Sequence, residues 1–207
     1  MTEQARTVFI VDDDPSFLTG IERLLRSCGY ATRCYESALD FAADHSPDAV
    51  GCVLADLRMP EMDGIALQRH LARSPNPLPI VFLTGAGDIP TSVEAMRGGA
   101  EDFLVKTAAK EAILDAVERA LARDDEERRE RRRRRALDKD CEKLTPRERE
   151  VLRYVLKGLR NKQIAHEMAI DERSVKRHRT NLMAKLGISS VAELVQFAVE
   201  AGLSQPE

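Results

Sequence analysis

The sequence predicts an α/β domain built on a small doubly wound parallel sheet, then a charged helical linker and a small all-α domain. Three observations carry that prediction. Across residues 1–122, short β-rich runs alternate with helix-like stretches, and such alternation with short connections implies a parallel sheet covered by helices on both sides. Residues 123–143 are charge-rich, contain no Gly or Pro and have almost no apolar residues. From Leu144 onward the apolar residues recur only at helical spacing. A chain of 207 residues has room for two small domains.

The β-rich runs are Thr7–Val11, Ala31–Tyr35, 50–55, 79–84 and Asp102–Val105. Three of them, TVFIV, VGCVLA and PIVFLT, are apolar almost throughout, as strands buried on both faces must be. Helices are expected near 15–28, 37–45, 64–73 and 90–98, and from about 108. In the linker, acids precede arginines by four at Asp124/Arg128, Asp125/Arg129, Glu127/Arg131 and Glu130/Arg134. That order supports an exposed helix by a few tenths of a kcal/mol per pair. The linker is therefore expected to continue the fifth helix, with its second half frayed. The arginine run 131–135 fits either DNA phosphate contact or a solvated face.

Four helices are expected in the tail. Thr145-Pro146-Arg147-Glu148 is a helix start, with Thr as N-cap, Pro at the first turn and Glu completing a capping box. Val151, Leu152, Val155 and Leu156 form one stripe, and Gly158 ends the helix. Asn161 is expected to cap a second helix. Asp171 caps a third, Glu172–Leu186, which stops at Gly187. Ser189 or Ser190 caps the last, which stops at Gly202. Two short helices around a three-residue turn, the second one basic, form a helix-turn-helix pattern.

Charge divides along the same lines. The whole chain has a net charge of −3, but residues 1–122 carry 11 Lys and Arg against 19 Asp and Glu, while 144–207 carry 11 against 8. An acidic front and a basic tail suggest different partners. Trp is absent and aromatics are 4%, which argues against RNA-type stacking platforms. Cys28, Cys34, Cys52 and Cys141 make no C-x-x-C pair and no metal spacing, so reduced thiols in a cytosolic setting are expected. No apolar run reaches membrane-spanning length, and MTEQARTVFIVDDD has no signal-peptide pattern. A cytoplasmic protein without a membrane partner is the expectation.

The chemistry lies at the predicted strand ends. Asp12, Asp13 and Asp14 follow the first strand and Asp56 the third; Thr84 ends the fourth, and Lys106 follows the fifth. The carboxyl edge is where doubly wound sheets bind ligands, and the flavodoxin-like order 2-1-3-4-5 makes strands one and three neighbours. Asp12 and Asp13 then face Asp56 across a crevice. Clustered carboxylates repel unless a cation is present, and hard oxygens suit Mg²⁺. Thr84 and Lys106 add a hydroxyl and a positive charge suited to a phosphoryl group. The set fits phosphoryl transfer onto Asp56. Singly, each residue is an ordinary cap, turn or surface group, and Asp14 before Pro15 reads as a helix cap. Together at four of five strand ends they are far more specific.

VFIVDDD, LADLRMPEMDG, VFLTGAGD and EDFLVK resemble a response-regulator receiver domain. LTPREREVLRYVLKGLRNKQIAHEMAIDERSVKRHRTNLMAKLGISSVAELV resembles a LuxR-type helix-turn-helix. The chain thus resembles the NarL/FixJ family of two-component transcription regulators, and its receiver is most similar to the FixJ branch. The resemblance implies a receiver over 1–122, a linker over 123–143 and a DNA-binding domain over 144–207. It makes Asp56, with Met59 and Pro60 in a D-x-x-M-P setting, the phosphoacceptor. Asp13 and Asp56 would bind Mg²⁺ by side chain, Arg58 by its carbonyl and Asp12 through water. Thr84 would be the switch hydroxyl, Phe103 the aromatic switch and Lys106 the phosphate partner.

The same resemblance implies a sensor histidine kinase, double-stranded DNA and the transcription machinery as partners, and a homodimer on phosphorylation. The chain departs from the family at Lys106-Thr107, where Lys-Pro is usual. A cis bond before a non-proline costs about 2.5–4 kcal/mol, so the loop is either trans and rearranged or strained.

On the Glu172–Leu186 helix, Val175, Leu182, Met183 and Leu186 read as core, leaving Lys176, Arg177, Arg179 and Thr180 on other faces. By resemblance Lys176, Arg177 and Thr180 face bases, and Arg179 meets phosphate. Asn161 and Lys162 are candidates for backbone phosphate, and His178 reads as packed.

Three rival readings have features to test. A haloacid-dehalogenase-type phosphohydrolase would use Asp12-x-Asp14 after an apolar strand, but Pro15 stands where that class prefers Thr or Val. Nucleotide binding through Gly85-x-Gly87 fails because Pro90 replaces the last glycine. A regulator that binds DNA without phosphorylation is the third. The leading expectation is a regulator and not an enzyme.

Overall fold

The computed structural model describes residues 6–85 and 89–203. The N-terminal MTEQA and Gly87 of the Gly85-x-Gly87 motif lie outside the described residues. The chain divides into two compact units, one up to Arg128 and one from Arg129.

The first unit holds a five-stranded parallel sheet in the order β2-β1-β3-β4-β5. Its strands are β1 (Thr7–Val11), β2 (Ala31–Tyr35), β3 (Gly51–Asp56), β4 (Ile80–Thr84) and β5 (Asp102–Val105). The three apolar runs are the central strands, and β3 and β4 are buried at every position. The edge strands β2 and β5 have no fully buried residue. Four helices connect the strands, α1 (Pro15–Ser27), α2 (Ala38–Asp44), α3 (Gly64–Leu71) and α4 (Ile89–Arg97), and a fifth, α5, follows β5, starting at Lys110 and running to Glu142. Alternate strand residues feed two cores. Phe9, Val11, Val53, Phe82 and Phe41 pack on one face; Val8, Ile10, Leu54, Val81 and Val117 pack on the other.

α5 departs from the sequence expectation. Its second half does not fray; the helix continues to Glu142. Two i,i+4 pairs, Arg123–Glu127 at 2.8 Å and Asp124–Arg128 at 2.8 Å, brace its middle. The linker start is also not a uniformly solvated face. Asp124 is 1% exposed and accepts a hydrogen bond at 3.0 Å from the Gly51 N–H, at the start of β3. Arg128 reaches the Ala49 carbonyl beside it. Gly51 has φ +142°, and a Cβ there would lie 1.8 Å from the Thr7 carbonyl oxygen. Only glycine fits this close approach.

The second unit is helical: α6 (Pro146–Leu156), α7 (Asn161–Glu167), α8 (Glu172–Leu186) and α9 (Val191–Glu200). Val151, Leu152, Ile164, Val175, Leu182 and Leu194 form its core. The capping box stands as expected, with Glu148 accepting from the Thr145 N–H at 2.8 Å. Asp171 and Ser190 cap α8 and α9, and Gly187 ends α8 in the left-handed region.

Asn161 is not the cap of α7. Arg160 occupies that place, its N–H donating to Gln163 at 2.9 Å, and Asn161 is the first helical residue. The Asn161 side chain is engaged elsewhere, by Arg179. Among the described residues no single helix is long and apolar enough to cross a membrane. The four thiols are free.

Candidate functional site

The parallel order brings the ends of β1 and β3 side by side, with Val11 opposite Ala55. One ligand atom each from Asp12, Asp13 and Asp56 lies within 4.8 Å of the others. Asp12 is 1% and Asp56 7% exposed, while Asp13 is exposed. Lys106 completes the group from the end of β5. Its ammonium is 2.6 Å from Asp12 and 2.8 Å from Asp56, and 4.5 Å from the centre of the Phe17 ring. Burial opposes the Lys106 charge, but hydrogen bonds to Asp12 and Asp56 outweigh it and raise the pKa above the ordinary lysine value. Burial pushes the Asp12 carboxyl up, against the pull of Lys106 and the Asp14 N–H.

The Lys106-Thr107 bond is trans, there being no cis peptide among the described residues. Lys106 still reaches the crevice, because its own N–H is tied to the Thr84 carbonyl at 2.8 Å. The missing proline therefore leaves the ammonium in position. Thr84 is wholly buried, and its hydroxyl has no hydrogen-bond partner among the described residues. Asp56 Oδ1 accepts from the N–H groups of Leu57 at 2.6 Å and Arg58 at 3.3 Å, and Oδ2 faces Lys106.

The loop after β3 is anchored by buried Leu57 and Met59. It closes on Gly64, where a Cβ would lie 2.6 Å from the Asp56 carbonyl oxygen and 2.8 Å from the Phe82 ring. Sequence reasoning missed Gly64 and Phe17. D-G before a helix is a local signal for the first, but nothing local marks the second. Phe103 is half-buried and packs 6.4 Å from Phe82. The donor set fits a hard divalent cation, with clustered carboxylates, one of them exposed, and a crevice whose formal charge is negative.

Asp14 stands apart. Its carboxylate accepts from the N–H groups of Ser16 at 2.9 Å and Phe17 at 3.3 Å. A carboxylate committed to capping α1 is not poised as the acid of a phosphohydrolase.

In the second unit, Lys176, Arg177, Thr180 and Lys162 are exposed, and His178 is half-buried. Asp171, Arg173, Ser174, Lys176, Arg177 and Thr180 surround one hollow at the start of α8. Arg173, exposed there, is a basic residue the sequence reading did not single out. Arg179 differs from its neighbours. It is half-buried and donates to Asn161 at 2.7 Å.

Comparison with known proteins bears on both units. Residues 8–118 match the response regulator receiver domain, and residues 142–198 match the bacterial regulatory proteins of the luxR family. Response regulator protein TodT of Pseudomonas putida is 40% identical over 196 residues, which cover 95% of this chain and 86% of TodT. Transcriptional regulatory protein FixJ of Bradyrhizobium diazoefficiens is 34% identical over 95% of this chain and 96% of FixJ. The solved structure of response regulator StyR superposes with a TM-score of 0.87 at 44% identity, over 95% of this chain and 99% of StyR. Full-length FixJ from B. japonicum gives 0.57 at 33% identity, over 97% of this chain and 99% of that one. With a receiver sheet, its acidic crevice and a LuxR-type helical unit in one chain, the protein belongs to the NarL/FixJ family of two-component response regulators.

Proposed function

We propose that Asp56 accepts a phosphoryl group from the phosphohistidine of a sensor histidine kinase, and that this modification controls dimerisation and sequence-specific DNA binding. The observation that carries the reading is the crevice itself: Asp56 is 7% exposed, clustered with Asp12 and Asp13, and has Lys106 at 2.8 Å. In the transfer an Asp56 carboxylate oxygen bonds to phosphorus, the phosphorus–nitrogen bond breaks, and the imidazole leaves with the electron pair. Mg²⁺ held by the side chains of Asp13 and Asp56, the carbonyl of Arg58 and, through water, Asp12 would supply positive charge for the phosphoryl oxygens. Lys106 pairs with the phosphoryl group, and Thr84 donates its buried hydroxyl to it. Phe103 follows that movement on the face of α4, β5 and α5.

In the second unit Lys176, Arg177 and Thr180 read base edges and Lys162 holds backbone phosphate of double-stranded DNA. Residues 1–122 act as the receiver, 123–143 as the linker and 144–207 as the DNA-binding domain. The protein works in the cytoplasm with the transcription machinery, as a regulator with no separate substrate to turn over. Phosphorylation by a small-molecule donor, read by intact mass, tests the acceptor. One Mg²⁺-dependent addition is expected, and Asp56→Asn abolishes it. Persistent labelling of that variant, mapped to another residue, refutes the assignment.

A further inference from the structure

We propose that Arg179 is a positioning residue for DNA reading: it acts through Asn161 and makes no phosphate contact of its own. The inference rests on α8 being the DNA-reading helix. α8 carries five cationic side chains, Arg173, Lys176, Arg177, Arg179 and Lys185, and they divide into two sets. Arg173, Lys176 and Arg177 are exposed around the hollow at the start of the helix. The other two point back into the unit. Arg179 donates from Nη1 to Asn161 Oδ1 at 2.7 Å. Lys185 donates to Glu148 at 2.7 Å, and Glu148 is 3% exposed and also accepts from the Thr145 N–H.

α8 is therefore tied at two places along its length, by Arg179 to the first residue of α7 and by Lys185 to the first turn of α6. Buried Val175 and Leu182 already seat the helix on the core; the two polar ties, six residues apart in sequence, add directional restraint on its rotation and slide. Base reading requires that control, because bidentate contacts to base edges fail with small misplacements, whereas a point charge tolerates them. The Asn161 partner is well suited to the task. It is half-buried and, as the first residue of α7 after the Arg160 cap, it belongs to the helix preceding the turn. Its carbonyl oxygen accepts from Arg179. The pair thus bridges the two helices of the helix-turn-helix across 18 residues of sequence.

A phosphate contact and a positioning contact give different signatures. Neutralising one phosphate contact lowers the slope of log affinity against log salt by about 0.9 and weakens all sequences alike. Losing a positioning contact leaves the slope in place and erodes the preference for the best sequence over others. The test uses the full chain, phosphorylated by a small-molecule donor, and a randomised duplex library with the best duplex drawn from it. Arg179→Ala, Asn161→Ala, the double variant and Lys162→Ala are compared at several salt concentrations. Melting followed by circular dichroism corrects each for its folded fraction.

Both single variants are expected to lose about tenfold in affinity for the best duplex and much less for random duplex. The double variant falls within about twofold of the worse single one, and all three keep the wild-type salt slope. Lys162→Ala, by contrast, loses slope. Additive losses, a slope reduced by about one in Arg179→Ala, or an unchanged base preference in that variant overturn the assignment while leaving α8 as the reading helix. A wild-type chain with no base preference overturns the reading of α8, and this assignment with it.

Discussion

Replacing Asp124 with alanine removes a buried carboxylate that holds α5 against the amino edge of the sheet. Asp124 is 1% exposed and accepts from the Gly51 N–H at 3.0 Å and from Arg128 Nε at 2.9 and 2.8 Å. Without it the buried Gly51 N–H loses its acceptor, and the Arg128 side chain, 14% exposed, loses the Asp124 carboxylate. Removing one partner of a buried ion pair costs about 3–5 kcal/mol. Arg128 keeps the Ala49 carbonyl and is not fully buried, so the lower end, about 3 kcal/mol, is expected. At 1.4 kcal/mol per decade, that is roughly a hundredfold increase in the opening equilibrium of the receiver.

Hydrogen exchange read by mass spectrometry on peptides spanning Gly51 measures this opening directly and separates it from the second unit, which a single melting curve does not. Asp125→Ala is the control. Its partner Arg6 lies 3.1 Å away with a side chain 55% exposed, and an exposed pair of this kind is worth about 0–1 kcal/mol. Exchange in Asp124→Ala within about fivefold of wild type refutes the reasoning, because it means the Gly51 N–H and Arg128 find equivalent partners without the carboxylate.

Other perturbations address the remaining sites. Asp13→Ala is expected to weaken Mg²⁺ binding, measured by calorimetry, more than Asp12→Ala, since both Asp12 oxygens are already engaged by Asp14 N–H and Lys106 while Asp13 is exposed; equal losses refute that ranking. Val195 and Val199 are exposed on α9 at helical spacing, so phosphorylation shifts the wild type toward a dimer in sedimentation while Val199→Glu stays monomeric with an unchanged melt. A dimer of normal strength in that variant removes α9 from the interface.

For Glu148, burial pushes the carboxyl up, but hydrogen bonds from Lys185 and Thr145 prevail and hold it below the ordinary 4.5. A depressed carboxyl pKa contributes stability that is present above the unfolded value and lost as pH falls through the folded one. Melting of the second unit therefore drops below about pH 4.5, and Glu148→Gln flattens that dependence; an unaltered pH profile refutes the assignment.

Much of the sheet was legible because its signals are local and redundant. TVFIV, VGCVLA and PIVFLT are apolar at nearly every position, and only strands covered on both faces require that. The carboxyl edge followed from the strand order alone, so Asp12, Asp56, Thr84 and Lys106 could be gathered before any geometry was known. Asp124 was not legible. Its sequence neighbours are acids and arginines in regular i,i+4 order, the pattern of a solvated helix. What buries it is the Gly51 N–H, 73 residues away, and no local pattern encodes a contact of that range. The Arg179–Asn161 bond escaped for the same reason. In sequence Arg179 is one more cation on a basic helix; only the crossing of α7 and α8 turns it inward.

The crevice is left short of positive charge in a way that favours a particular kind of visitor. Three carboxylates face one ammonium, a formal excess of two negative charges. Lys106 cannot satisfy all of them: it bonds Asp12 and Asp56 and leaves Asp13 exposed to solvent. The unmet charge equals that of one divalent cation, which is why a hard cation fits here better than a second lysine would. Thr84 carries the complementary deficit, a wholly buried hydroxyl with no partner among the described residues. An unpaired buried donor costs about 1–3 kcal/mol, a penalty relieved once an acceptor comes within reach. Under the proposed phosphorylation, a phosphoryl group on Asp56 would bring three acceptor oxygens to the edge where β4 ends. Thr84 would then gain a bond, and only a difference of this kind between two states lets a modification shift the population of one over the other.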